Sequence, residues 1–352
     1  ILGLIGLGVG PGDEVIIPAY TFMASALAVT TVGAIPVIVE IDETLTIDPV
    51  DIEKNISPHT KVIMPVHMLG LPCNMDGIMD ISRRHNVKVL EDACQAVGGS
   101  YKGRRLSSIG HVGAFSFNHY KVISCGEGGA LLTSDRKVYE RAVYQHDGGT
   151  AFREDYLRTL NVQGQEDNKP EAHSIYSEFT TPVFAGMQFR QSEINGAIMR
   201  VQLSRLDGIL ADLRCIKGQI MAELYGTGLT FLKSNWPQGE CATHLGFTFP
   251  TEGQARSFAE SPGVGGTLPI DTGRHVYTNW EPIMNKQGAC HPAMNPFTLP
   301  VNQGLNYNYR KDMCPATLKH LKLSVTVPLD PDWNEDEIQR KIINIKMAAE
   351  RL

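Results

Sequence analysis

The sequence predicts an α/β fold, with a large domain built on a mostly parallel sheet between helices and a smaller C-terminal α/β domain. Three observations predict it. Short β-branched runs alternate with helix-like stretches through residues 15–135, the pattern of βαβ units. The 352 residues are enough for a large core and for two domains. Residues 210–352 carry their own set of elements, including a long Pro- and Gly-rich stretch at 262–305.

The elements follow in order. Residues 15–17, 36–39, 61–64, 87–90 and 130–133 are rich in Val, Ile and Leu and read as strands. Between them, 24–31, 49–56 and 76–85 read as helices. Residues 136–185 are mixed, and 161–168 is polar and loop-like. Residues 192–205 read as a helix with Ile194, Ala197, Ile198 and Val201 on one face. The domain change is placed after it, giving a large domain at 1–209 and a small one at 210–352. The small domain holds a helix at 212–224, a strand at 243–249 and a terminal helix at 334–350.

Bulk numbers exclude several classes. At 42% hydrophobic and 20% charged residues, the composition is that of an ordinary soluble domain. A net charge of −6 gives no sign of a nucleic-acid partner. No apolar run reaches the roughly 18 residues of a membrane span, and no signal peptide is visible. The seven cysteines are scattered without CxxC spacing, which argues against a disulfide framework or zinc site and for a reducing cytoplasm. No G-x-G-x-x-G follows the first strand, which disfavours a dinucleotide-dependent dehydrogenase.

Two segments carry chemistry. Lys121 stands five residues after Ser116 in an apolar run, just ahead of the turn Gly126-Glu-Gly-Gly129. Desolvation disfavours a Lys charge near a buried strand end, and a covalent link to a carbonyl suits such a Lys. Read alone, the segment fits equally a surface Lys in a loop between strands. The second segment, 86–99, reads as a short strand ending in Glu91 and Asp92. In open α/β sheets ligands bind at the carboxyl ends of strands. A carboxylate there can pair with the protonated ring nitrogen of pyridoxal phosphate (PLP). Alone, Asp92 fits better as a helix N-cap; taken with Lys121, it favours the cofactor.

Six segments then recur in a fixed order: Gly8 to Phe22, Gly33-Ala-Ile-Pro-Val, Pro65-Val-His67-Met-Leu-Gly70, Glu91-Asp92-Ala-Cys-Gln95-Ala, Ser116 to Lys121, and Gly126-Glu-Gly-Gly-Ala. With this order and spacing the chain resembles the DegT/DnrJ/EryC1/StrS family of PLP-dependent sugar aminotransferases. The match is dense over residues 8 to 135, thinner through Gly186-Met-Gln-Phe-Arg190-Gln-Ser-Glu193, and weak beyond about 210.

The resemblance implies a PLP-dependent transferase type I fold and PLP as cofactor. It implies that Lys121 holds the cofactor and moves the proton, and that Asp92 faces the ring nitrogen. Ser116 and Asn118 would bind the phosphate, Phe22 would stack on the ring, and Gln95 would sit near the ring oxygen. Phe22 also fits a core position, and Gln95 an exposed helix position. Gln188 stands where the family has an Asn that reaches the phosphate of the other subunit in a dimer. Arg190 keeps the family residue, although it fits equally a surface partner of Glu193. His119 and Tyr120 are offered as substrate contacts. So are Arg274, His275 and Tyr277, in a polar-aromatic stretch at 271–280 that suits sugar hydroxyls but also fits an ordinary loop. His67 fits a satisfied core or loop histidine better than a catalytic one. No metal is expected.

A sub-branch of sugar dehydratases carries His in place of the Lys, so Lys121 favours transamination. The resemblance implies glutamate or glutamine as amino donor. The acceptor would be a nucleotide-linked or phosphorylated ketosugar or a keto-cyclitol, in amino-sugar, antibiotic or cell-surface polysaccharide biosynthesis. It implies a homodimer with shared active sites, and a segment ahead of residue 1 carrying a Gly-Thr turn for the phosphate. Two alternatives remain: a dehydrating or aromatising enzyme on the same scaffold, and a non-catalytic regulator that retains the fold.

Overall fold

A computed structural model of the chain describes residues 1–148, 179–305 and 307–352. The polar stretch expected at 161–168 lies outside the described residues. After a short helix, α1 (Leu2–Gly6), come β1 (Glu14–Pro18), α2 (Ala24–Thr31), β2 (Ile35–Val39), α3 (Pro49–Asn55), β3 (Thr60–Ile63), α4 (Met75–His85) and β4 (Lys88–Asp92). A two-stranded ribbon follows, β5 (Ser100–Tyr101) with β6 (Arg104–Arg105), and then β7 (Val112–Ser116), β8 (Gly129–Thr133) and α5 (Arg136–His146). The remainder comprises α6 (Glu193–Glu223), β9 (Thr230–Phe231), β10 (His244–Thr248), α7 (Glu252–Glu260), α8 (Glu281–Met284), α9 (Pro315–Leu323), β11 (Ser324–Pro328) and α10 (Glu335–Ala349).

The main sheet has the order β2-β1-β3-β4-β7-β8, parallel except for the antiparallel β7–β8 pair at its edge. Every residue of β1 and β2 is buried. That explains why these strands read as unbroken apolar runs: helices cover both faces of a parallel sheet, so no polar alternation survives. Local caps start the helices. Asp48 accepts from Val50 N–H with Pro49 at the first position of α3, and Asn74 accepts from Gly77 N–H at α4. Asn334 and Glu337 close a reciprocal capping box on α10. The second sheet, β11-β10-β9, is antiparallel.

The structure corrects several sequence expectations. The helices expected at 192–205 and 212–224 are one 31-residue helix, α6, and the expected boundary at 209/210 falls inside it. Its expected buried face is not buried by this chain, since Ile194 is 73% exposed and Val201 58%. The strand β7 and the helix α5 were not assigned from the sequence. Residues Val276, Tyr277, Trp280, Ile283 and Phe297 pack into the same core as β1 and β2, whereas Leu213 to Leu224 of α6 pack with β10, β11 and α10. The Pro- and Gly-rich stretch thus returns to the first sheet as a run of short turns.

Candidate active site

The site forms where parallel strands end. Asp92 closes β4, Ser116 closes β7, and both lie on the carboxyl edge of the sheet, with Asp92 in register with Ala114. The Asp92 backbone is pinned by its N–H on the Pro65 carbonyl (2.9 Å) and by its carbonyl accepting from His67 N–H (3.0 Å). Its carboxylate is held at both oxygens. Ser25 Oγ donates to Oδ2 at 3.0 Å, and Cys94 N–H donates to Oδ1 at 3.1 Å. Ser25 Oγ lies 2.9 Å from Thr21 Oγ1.

Lys121 follows in a tight turn, its N–H donating to the Asn118 carbonyl at 3.0 Å. Its amine makes no hydrogen bond or ion pair with any described residue. Its charge is felt by two neighbours. Burial first, and then the adjacent Asp92, push the Cys94 thiol up, while Lys121 opposes them. Burial holds the His275 imidazole below its ordinary value, with Lys121 adding to the effect and the Thr272 carbonyl opposing it. The charge of Lys121 is thus felt on both sides of this edge, at Cys94 beside Asp92 and at His275.

The other predicted residues separate into two groups. Phe22 is 42% exposed and its ring centroid lies 5.3 Å from that of His275. Backbone bonds from Thr21 N–H to the His275 carbonyl (2.9 Å) and from Met23 N–H to the Arg274 carbonyl (3.0 Å) fasten 272–276 over this edge. Ser116 Oγ accepts from Asn118 N–H at 3.4 Å, which leaves its proton available. These residues are brought together around Asp92 and Lys121. Asn118 is adjacent, but its amide donates to Glu127 Oε1 at 2.7 Å, so its donor is engaged within the protein. Gln95 likewise uses its amide oxygen on Leu69 N–H at 3.0 Å. Tyr120 is 84% exposed, and its ring lies against that of His119, centroids 3.9 Å apart and tilted by 40°. Gln188 and Arg190 are exposed near the end of α5, where Gln188 bridges to Asp147. Arg190 does not pair with Glu193 among the described residues.

Tyr277 is a correction. Offered as a substrate contact, it is fully buried; its hydroxyl donates to the Lys311 carbonyl (2.6 Å) and accepts from Cys314 N–H (3.2 Å). It belongs to the core. His67 is also fully buried. Its Nδ1 accepts from Cys73 N–H, so its proton sits on Nε2, facing Glu91 at 3.3 Å. This agrees with its reading as a satisfied histidine.

Sequence reading missed two supports. Ser25 under Asp92 was one; the Thr21–Ser25 spacing, one helical turn, could have placed both hydroxyls on one face. Glu91 was the other. Its buried carboxylate accepts from Ser107 N–H (2.9 Å), Ile109 N–H (2.6 Å) and Gly110 N–H (2.5 Å). Burial pushes this carboxyl up, but His67 and the backbone donors outweigh it, and the group sits below its ordinary value. Glu91 thus ties the loop before β7 to the strand that carries Asp92.

The residues present fit PLP. A doubly hydrogen-bonded carboxyl group, an amine, an open aromatic face and a hydroxyl lie on one sheet edge, the set that the cofactor requires. Comparison with known proteins agrees. Residues 1–252 match the model of the DegT/DnrJ/EryC1/StrS aminotransferase family. The chain is 39% identical over 211 residues to GDP-perosamine synthase of Caulobacter vibrioides, covering 60% of this chain and 50% of the relative. It is 36% identical over 267 residues to dTDP-3-amino-3,4,6-trideoxy-alpha-D-glucose transaminase of Streptomyces venezuelae, covering 75% and 63%. The chain therefore spans between half and two thirds of the length of these relatives. Among solved structures, 3-amino-5-hydroxybenzoic acid synthase superposes with a TM-score of 0.72 at 26% identity, covering all of this chain and 84% of the other.

Proposed function

We propose, because the chain belongs to the DegT/DnrJ/EryC1/StrS aminotransferase family, that it is a PLP-dependent aminotransferase acting on a ketosugar or keto-cyclitol. The observation that carries this reading is the convergence of Lys121 and a doubly held Asp92 carboxylate on the same sheet edge. PLP, when bound, supplies a ring that draws off the negative charge left at Cα on proton loss. The chain's own groups do the rest. Asp92, oriented by Ser25 and Cys94 N–H, would face the ring nitrogen and hold its proton. Lys121 would hold the cofactor through its amine and then carry a proton to and from the substrate. Phe22 offers its face to the ring, and Ser116 a hydroxyl to the phosphate. Gln95 and Asn118 border the site through their remaining polar atoms.

The names of the relatives, a perosamine synthase and a trideoxyglucose transaminase, support a nucleotide-linked ketosugar as acceptor. Glutamate or glutamine is the proposed donor. Arg274 and His275, beside Phe22, are the proposed contacts to a ring bearing hydroxyls, with His119 and Tyr120 across the Lys121 turn. The fold shared with 3-amino-5-hydroxybenzoic acid synthase supports a second reading, an aromatising dehydration.

A homodimer with shared sites is proposed as well. Ile194, Ile198 and Val201 of α6 and the preceding Met187 and Phe189 form an exposed apolar surface beside Gln188 and Arg190, the kind of surface that a second copy covers. A cytoplasmic location is proposed from seven free cysteines. Among the described residues no helix is long and apolar enough to cross a membrane.

The test loads the protein with its amino donor, offers ketosugars, keto-cyclitols and α-keto acids separately, and follows the return of the cofactor's visible absorbance. Return with a ketosugar or keto-cyclitol supports the proposal. If only α-keto acids restore it, the acceptor assignment falls; if no colour forms with PLP, the aminotransferase reading falls.

A further inference from the structure

We propose that the chain carries a second small-molecule site, which takes a small organic carboxylate with an apolar body and communicates with Gln95 through Leu69. The inference does not rest on the aminotransferase reading, because binding is measured on the protein itself.

A cavity of about 480 Å³ opens between α6, the antiparallel sheet and the loop after β3. That volume falls in the range of sites for small ligands. Asp92, Lys121 and Ser116 do not line it. Leu69, Met221 and Phe231 give it apolar walls, and Arg214 and Lys217, three residues apart on one face of α6, give it charge. Glu240, a buried residue that also lines the cavity, holds both cations. Its carbonyl accepts from Arg214 Nε at 2.8 Å, and its carboxylate takes Lys217 Nζ.

Arg214 Nη1 and Nη2 are left without a protein acceptor among the described residues. Among the described residues no buried side-chain nitrogen or oxygen lacks a partner, so these two nitrogens open onto the cavity or solvent. An anchored guanidinium with a free fork is the donor geometry that binds a carboxylate through two parallel bonds. The charges agree. Arg214 and Lys217 against Glu240 leave one positive charge, and Lys233 at the wall is paired with Glu43. His244, pushed down to about 4 by burial and by Lys217, is uncharged at neutral pH. One carboxylate balances the cavity; a phosphate dianion would exceed it.

Leu69 joins this cavity to the other site. Its backbone is left-handed, φ 56°, a conformation that bulky residues seldom adopt. Its N–H donates to Gln95 Oε1 (3.0 Å), and its carbonyl accepts from Thr243 Oγ1 (3.0 Å). Thr243 Oγ1 lies 3.0 Å from Nδ1 of His244, which lines the cavity. A ligand that moves Leu69 or His244 therefore moves a hydrogen-bond partner of Gln95.

The experiment titrates the full chain with sodium benzoate by calorimetry, using benzyl alcohol as the uncharged match and inorganic phosphate as the dianion. Arg214→Gln removes the fork. Gly218→Leu fills the cavity, since a Cβ there meets nothing within 4 Å, and a Leu within α6 favours the helix. Saturable benzoate binding, weakened at least about tenfold in each variant and by loss of the carboxylate in benzyl alcohol, is the expected result. Phosphate should not displace bound benzoate. The Gln95 side-chain amide resonance, identified by its loss in Gln95→Glu, should shift with benzoate in the native chain and not in Gly218→Leu. Absence of saturable binding up to about 10 mM, or equal benzoate affinity in the native chain and Gly218→Leu, overturns the site. An unmoved Gln95 resonance at saturation overturns the coupling.

Discussion

Ser25 Oγ donates to Asp92 Oδ2 across 3.0 Å, joining the first turn of α2 to the carboxyl end of β4. With Cys94 N–H on the other oxygen, it fixes the orientation of the carboxylate. Ser25→Ala should remove one hydrogen bond to a charged group, worth about 1.5–3 kcal/mol. We expect a lower Tm and slower turnover at neutral pH, with Ser25→Thr recovering much of the rate. A rate in Ser25→Ala equal to that of the native chain would show that the bond does not support Asp92.

Lys121→Ala should leave a folded protein with no borohydride-stable attachment of PLP. Losing the anchor and the proton shuttle together should lower turnover by at least about 10³-fold. Mass spectrometry after reduction and a steady-state assay check the two effects separately, and a reduced PLP adduct at another lysine would reassign the anchor.

Asp92→Asn should still bind PLP but should slow the half-reaction with the amino donor by about 10²-fold or more, since a neutral amide cannot hold the ring nitrogen proton. Stopped-flow mixing with glutamate reads that step alone. A native rate there would remove Asp92 from the role.

Glu91→Gln should destabilise the fold. The new NH2 group would face the N–H groups of Ile109 and Gly110 or of Ser107, leaving buried donors unpaired at about 1–3 kcal/mol each. The native chain should also lose stability in acid. The folded Glu91 carboxyl lies below its ordinary 4.5, so the unfolded chain binds the proton first. The contribution is complete above about pH 4.5 and disappears as pH falls through the folded value. Thermal melts across pH 3–7 should show Glu91→Gln with the shallower acid slope.

Tyr277→Phe should lower Tm, because it removes the donor to Lys311 and leaves Cys314 N–H without its acceptor. A loss of about 1–3 kcal/mol is expected. KM for the acceptor should not change, since the ring lies in the core. A selective rise in KM at unchanged stability would return Tyr277 to the substrate.

The sequence by itself determined the parallel sheet, because strands covered on both faces must be continuously apolar and such runs are local signals. It also singled out Asp92 and Lys121 as candidates, because an acid at the end of an apolar run and a lone Lys before a Gly-rich turn are local signals that gain meaning when read together. Only the tertiary structure decided what those residues touch. Ser25 meets Asp92 from 67 positions away because α2 begins where β4 ends, at the same sheet edge. Tyr277 is buried because the turns after residue 270 fold back on the first sheet, a path that composition does not encode. The apolar stripe of α6 predicted a buried face, and the fold leaves Ile194 and Val201 open. Periodicity reports that a face is apolar; what covers it depends on elements distant in the chain or on another molecule.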